Sequence, residues 1–285
     1  MRYNRINKTL TKKHHKITHL QYLKPNICYF PQLQEKLIHG FSWGKEAGNM
    51  SFEFGDQVEV RANVQRFLQA LELGDIKQSV SMNNQHKNQI IDITDKNIHK
   101  FKKHRFGRPA KADALFTKLP GVTITCKPGD CTTAIFYSTN RSNEEIIGIV
   151  HSGRRGVDRY LPRKAVKHLV VKHNCDPKSI LVGIVPHLFQ ENRSFAHFNE
   201  FINLDDWVKY IIKKNGVPYL DETGHAIDQY LETGILPGNL YEYHVDTYEA
   251  AKKGESFSHR YWWDMEQART PIRNGRFVVA IRKKT

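Results

Sequence analysis

Between Gly129 and Gly156 the sequence reads GDCTTAIFYSTNRSNEEIIGIVHSGRRG. A thiol, Cys131, opens one β-branched and aromatic run, and an imidazole, His151, closes the next. The polar insert from Ser138 to Glu145 marks two neighbouring strands joined by a surface loop. Antiparallel pairing would set the start of the first strand beside the end of the second, so Cys131 and His151 would share one sheet edge. Two chemistries use such a pair. The histidine can act as base to a thiolate nucleophile, or both side chains can bind zinc or copper with a third ligand from elsewhere. The plain alternative is two buried strand ends without chemistry. Asp130, Ser152, Arg154 and Arg155 weigh against it, because charged groups gathered at one edge are costly to bury without a ligand.

The elements that must position this pair are legible in outline. KLIHGFSW (36–43) reads as a strand. Val60, Val64, Phe67, Leu68 and Leu71 recur at the spacing of one helix face, with Asp56 as its cap. QIIDI (89–93), VTITC (122–126) and SILVGIVP (179–186) read as further strands, and the basic stretch from Lys96 to Lys111 as a loop. Pro162 suits the first turn of a helix carrying Ala165 and Leu169 inward. Helices are expected near 205–214 and 222–233, and strands over 240–248 and 276–283. Strands and helices mix without strict βαβ alternation or internal repeats, which predicts an α+β fold of mixed sheets covered by helices. No Pro/Ser linker divides residues 35–285, so they are expected to form a single domain.

Composition narrows the setting. The chain of 285 residues carries 44 Lys+Arg against 29 Asp+Glu, a formal charge of +15 that attracts phosphate-bearing partners. No RNA- or DNA-binding signature accompanies the charge, so specific nucleic-acid binding is not indicated. Four cysteines without a CxxC pattern suit a reducing, cytoplasmic interior. Residues 1–34 contain no acidic residue and read as a basic N-terminal extension. No apolar run reaches membrane-spanning length, so no membrane partner is expected.

The order of the short motifs resembles one family over nearly the whole chain after residue 36. HGFS (39–42), NMSFEFGD (49–56), the helix containing Asn63, QHKNQI (85–90), ADALFT (112–117), PGV (120–122), DC (130–131), HSGRRG (151–156), DTYEAAKKGESFSHR (246–260) and GRF (275–277) follow each other as in YfiH-like proteins. These are variously called laccase-domain proteins, multicopper polyphenol oxidases and purine nucleoside phosphorylases. The resemblance implies a metal, usually zinc with copper as the other possibility, bound by His86, Cys131 and His151. Such a site keeps a fourth coordination position for substrate or water.

The resemblance further implies catalytic roles for Cys131, His151, His86 and Asp130, the last as a carboxylate steadying the ligands or as a proton acceptor. Ser51, Asn63 and Arg260 match motif positions near the substrate. Arg155, with Arg154 beside it, precedes a helix start and is expected to hold an anion. The implied activity is phosphorolysis of purine nucleosides (adenosine, inosine, guanosine or methylthioadenosine), with adenosine deamination as a side or companion activity, so purine nucleoside and phosphate are the expected partners. Copper-dependent phenol oxidation, Cys–His thiol hydrolysis or peptidoglycan-precursor editing, and an inactive binding protein are the alternatives. Lys87, Ser152, Arg154 and Asp246 replace the glycine, alanine, tryptophan and cysteine of the family pattern, which makes the expected pocket more polar and cationic.

Overall fold

The computed structural model describes residues 14–101, 109–196 and 198–284. Thr132–Thr139 and Glu145–Ser152 pair antiparallel along their whole length, with Thr133 opposite His151. They are the centre of a seven-stranded sheet ordered His15–Ile17, Leu240–Tyr243, Leu181–Ile184, Thr132–Thr139, Glu145–Ser152, Ala114–Thr117, Ile90–Ile93. A second seven-stranded sheet is ordered Tyr22–Lys24, Ile27–Cys28, Leu37–Ser42, Val279–Lys283, Ile124–Cys126, Val80–Asn83, Pro109–Lys111.

The central strands are apolar at consecutive positions because both of their faces are covered. Ile135, Tyr137, Ile147 and Ile149 face the second sheet and join Val279, Ile281, Phe41 and Trp43 in the inter-sheet core. Ala134, Phe136, Ile146 and Val150 point the other way, against the helices Leu161–His173 and Glu222–Glu232. The second sheet alternates likewise, with Val278 and Ala280 packed on the helix Gln57–Ala70. The result is a helix–sheet–sheet–helix stack, the α+β single domain of mixed sheets that the sequence predicts. By the same alternation Cys131 and His151 fall on the inter-sheet side, continuing the rows of Ile135 and Ile149. Among the described residues no helix is long and apolar enough to cross a membrane.

Several local expectations hold. Asp56 caps its helix, its carboxylate accepting from the N–H groups of Val58 and Glu59 at 2.9 Å each. Pro162 lies in the first turn of Leu161–His173. Other expectations are corrected. In the segment 205–214 only the end of the short helix Leu204–Trp207 is α-helical, followed by a 3₁₀ turn. Ile211–Lys214 instead pairs with Val217–Leu220 in a hairpin. The Asn215-Gly216 turn decides this, because both residues take positive φ, 51° and 79°, as a tight hairpin turn requires.

The strand expected over 240–248 stops at Tyr243, since Asp246 caps a new helix, Thr247–Lys252, by accepting from the Tyr248 N–H. A further helix, His259–Gln267, is capped by Ser258. The chain before residue 35 is woven into both sheets, and Phe30 and Leu33 are fully buried. Residues 1–13 of the basic N-terminal segment and 102–108 of the expected basic loop lie outside the described residues.

The feature of the fold most important for the strand edge is Asp113, fully buried just before the Ala114–Thr117 strand. Its Oδ1 accepts from the backbone N–H groups of Gln85 and His86, both at 2.7 Å, and its Oδ2 from Lys87 at 2.9 Å and Gln89 at 3.4 Å. Its backbone carbonyl accepts the N–H of His151 at 2.8 Å. One residue therefore ties the loop that carries His86 to the strand that carries His151. His86 itself is held at φ 53°, a left-handed conformation that a non-glycine residue keeps only when its surroundings impose it.

Asp113→Asn replaces one acceptor oxygen by an NH₂ group that faces amide donors. The expected cost is about 1.5–3 kcal/mol of stability, from the loss of hydrogen bonds to a charged acceptor. Amide exchange should accelerate at residues 85–89 ahead of the rest of the chain. Unchanged exchange at those amides would show that the loop is fixed by something other than Asp113.

Candidate metal centre

The register of the central hairpin brings Cys131 to the edge where His151 ends its strand, and the Asp113-bound loop brings His86 across from the second sheet. One donor atom from each of His86, Cys131 and His151 lies within 4.8 Å of the others. The imidazoles of His86 and His151 meet edge to face, with ring centroids 5.3 Å apart. Burial is graded, with His151 buried, Cys131 partly exposed and His86 exposed, so the cluster is rooted in the core and opens at His86.

Three observations fit a metal ion to these side chains. Nδ1 of His151 is buried with no hydrogen-bond partner among the described residues, an arrangement that costs stability unless a ligand satisfies the nitrogen. Gly153 supplies space, since a Cβ there would lie 2.8 Å from Sγ of Cys131 and 3.5 Å from the His86 ring. The donor set of two imidazoles and one thiol is also one that zinc and copper favour. Cys126 takes no part: it is fully buried, free of any disulfide, and burial pushes its thiol up to about 12.

The three side chains line a cavity of about 380 Å³ together with Ser51, Asp130 and a cationic group formed by Lys127, Arg193 and Arg276, with His259 beside them. Lys127 donates to Oγ of Ser81 at 2.7 Å, and burial lowers its pKa to about 8. Arg276 lies over the ring of Phe54 and packs on Gly129, where a Cβ would come within 3.1 Å of its side chain. Arg193 is paired with the buried Glu222 at 2.6 Å, yet its Nε has no partner among the described residues. None of these four was singled out from the sequence. Arg276 and His259 do sit inside the quoted GRF and DTYEAAKKGESFSHR motifs, and Lys127 in the KPGD segment that precedes Cys131.

The remaining candidates fall in two groups. Asp130 is at the cavity wall, but fixed donors engage both its oxygens: the Thr247 hydroxyl at 2.7 Å and the Arg260 backbone N–H at 2.6 Å. It thus joins the cysteine to the two C-terminal helices. Asn63 lies behind the wall, donating to the carbonyl of Asn49 at 3.0 Å and so supporting the loop that carries Ser51. The Arg260 guanidinium is turned to Ser194 and Asp264.

Arg154 and Arg155 do not line the cavity. Arg154 is buried between the rings of Phe195 and Phe201, 4.6 and 5.0 Å from their centroids, and pairs with Glu200. Arg155 is exposed, 3.4 Å from the same carboxylate. They belong to a separate short helix, Arg154–Asp158, whose turn carries them away from the strand edge. The expectation that this pair holds an anion at the metal is corrected accordingly.

Comparison with other proteins agrees with the fold. The structure is similar to that of the hypothetical protein YfiH of Bacillus licheniformis, at TM-score 0.76 and 19% identity over 93% of this chain and 99% of that one. It is likewise similar to YlmD of Geobacillus stearothermophilus, at TM-score 0.75 and 19% identity over the same shares. A Neisseria meningitidis protein follows at TM-score 0.66 and 14% identity, over 93% and 98%. The sequence matches no curated protein. Residues 38–284 match the family model described as multi-copper polyphenol oxidoreductase laccase. The chain belongs to this laccase-like, YfiH-like family.

Proposed function

We propose that the protein is a zinc-dependent enzyme that cleaves purine nucleosides with phosphate, with adenosine deamination as a companion activity. The observation that carries this reading is the shared cavity: a His₂Cys donor set on one wall and Lys127, Arg193 and Arg276 on the others. Its volume falls in the range of small-molecule sites. In phosphorolysis a phosphate oxygen bonds to C1′ as the C1′–N9 bond breaks, and the base leaves with the electron pair and takes a proton from water. A zinc ion held by His86, Cys131 and His151 would supply positive charge and a Lewis-acid centre there. The three cationic side chains would place the attacking phosphate, a positioning contribution that avoids stabilising charge on the sugar directly.

The family description speaks of several coppers. Multicopper oxygen chemistry uses many histidines in paired motifs, and the chain's 15 histidines include no H-x-H pair. Among the described residues the metal-competent groups are His86/Cys131/His151 and Asp92/His168/His173. These lie on opposite faces of one sheet, because Asp92 shares the helix-covered side with Phe116. One His₂Cys group with a separate His₂Asp group supports zinc chemistry better than a copper cluster.

Cys131→Ser should lose nucleoside turnover together with the metal of this centre, the occupancy of the His86/Cys131/His151 group falling at least tenfold. Cys126→Ser should keep both, because that thiol is fully buried and is not one of the three converging donors. Metal analysis and a purine-release assay on the two purified variants check this. Full turnover in metal-free protein would transfer the reading to a Cys131–His151 thiol dyad.

Phosphate dependence is the second test. Lys127→Met should raise the phosphate KM about tenfold or more at pH 7, the loss expected for one hydrogen bond to a charged group. Because burial lowers the Lys127 pKa to about 8, its charge is present below that pH and lost above it. Phosphate affinity in the wild type should therefore fall as pH rises through 8. The ionisation of phosphate itself acts on both proteins alike, so the wild-type decline should exceed that of Lys127→Met. Turnover indifferent to phosphate in both proteins would move the assignment to a hydrolase or deaminase.

A further inference from the structure

On the helix-covered face of the first sheet a second group of ligating side chains converges. Asp92, on the edge strand Ile90–Ile93, has a carboxylate only 7% exposed. Nε2 of His168 lies 3.0 and 3.1 Å from its two oxygens, and Nε2 of His173 lies 2.8 Å from Oδ1. Both histidines come from the last turns of the helix Leu161–His173. Their spacing, two histidines with four residues between them, is within the range of zinc-ligating pairs, but nothing in the sequence joins Asp92 to them.

The surroundings fix all three. His168 stacks on Phe116 at 5.6 Å, and the two imidazole centroids are 5.3 Å apart. Asn97 donates to the Asp92 carbonyl at 2.8 Å and holds the end of the edge strand. Two imidazoles aim the same kind of ring nitrogen at one carboxylate oxygen. That needs either two N–H donors on a single acceptor or one cation shared by two nitrogen lone pairs and an oxygen. Zinc bonds of about 2.0–2.2 Å in tetrahedral array set neighbouring donors roughly 3.4 Å apart, so the present spacing needs only a small expansion.

The remaining side is open. Asp92 and His173 line a cleft with Asp95 and Glu144, which gives water or a further carboxylate access to a fourth position. The Lys172 ammonium is close to Oδ2 of Asp92, while Lys118 of the same cleft pairs with Glu144. The Lys172 side chain is 60% exposed, so it can swing into solvent at little cost.

We propose that Asp92, His168 and His173 form a second, structural site for a borderline divalent cation, with zinc best suited to its two-nitrogen, one-carboxylate donor set. Bound there, the ion clamps the edge strand to the end of the covering helix. The site is independent of the His86/Cys131/His151 centre, since the two groups occupy opposite faces of the sheet.

The test uses the full chain, stripped with a chelator, re-equilibrated with zinc chloride, freed of loose metal and analysed for zinc per chain. The wild type should retain two, Cys131→Ser one, His173→Ala one, and Cys131→Ser with His173→Ala none. His168→Ala should repeat the His173→Ala result. If the first centre does not bind metal, Cys131→Ser will leave the count unchanged while His173→Ala still removes one zinc, so the two readings fail separately. Lys172→Ala keeps all three ligands and removes the competing ammonium. In the Cys131→Ser background it should bind zinc severalfold more tightly and show a larger zinc-induced rise in Tm. An unchanged zinc count in His173→Ala, or weaker zinc binding in Lys172→Ala, would overturn the proposal.

Discussion

The structure around the candidate centre depends on the carboxylate of Asp113. Buried charge is expensive unless donors surround it, and Asp113 finds four of them in the backbone of the loop from Gln85 to Gln89. That compensation fixes a loop whose central residue, His86, holds a left-handed conformation. Because the same residue's carbonyl is bonded to the His151 N–H, the two imidazoles are set against one frame. A constellation drawn from both sheets thereby acquires the rigidity that ligand binding requires.

Cys131 and His151 reach that frame by a different route. Strands buried on both faces keep a strict two-residue alternation, and a slip of one residue would turn both side chains to the helix-covered face. The register that sets Thr133 opposite His151 is held by apolar residues on each side, Ile135 and Ile149 inward and Phe136 and Val150 outward. Packing of the hydrophobic core and placement of the polar edge are thus one constraint. Gly153 completes it, because any side chain there would press on the thiol.

The cationic character of the cavity arises differently from what adjacent arginines suggest. Arg154 is paired with Glu200 and packed between two aromatic faces, a partnership that anchors a short helix and turns its guanidinium away from the cavity. Lys127, Arg193 and Arg276 come from segments far apart in the chain, and each is buried or half-buried at the cavity wall. Desolvated charges interact strongly with an incoming anion because little water screens them, so position in the fold outweighs proximity along the sequence.

The sequence by itself determined the α+β class, the central hairpin and the edge shared by Cys131 and His151. Those features follow from local alternation, turn composition and motif order, which the chain displays directly. It also placed the Asp56-capped helix and the proline-led helix, since caps and first turns are local chemistry. The Asn215-Gly216 hairpin was equally local, and an expectation of continued helix passed over it. Only the tertiary structure decided that Asp113 is the frame, that Lys127, Arg193 and Arg276 are the cations facing the centre, and that Asp92 meets His168 and His173. Each of these contacts joins residues on different elements. Their distances are set by how sheets and helices stack, which no spacing within one segment records.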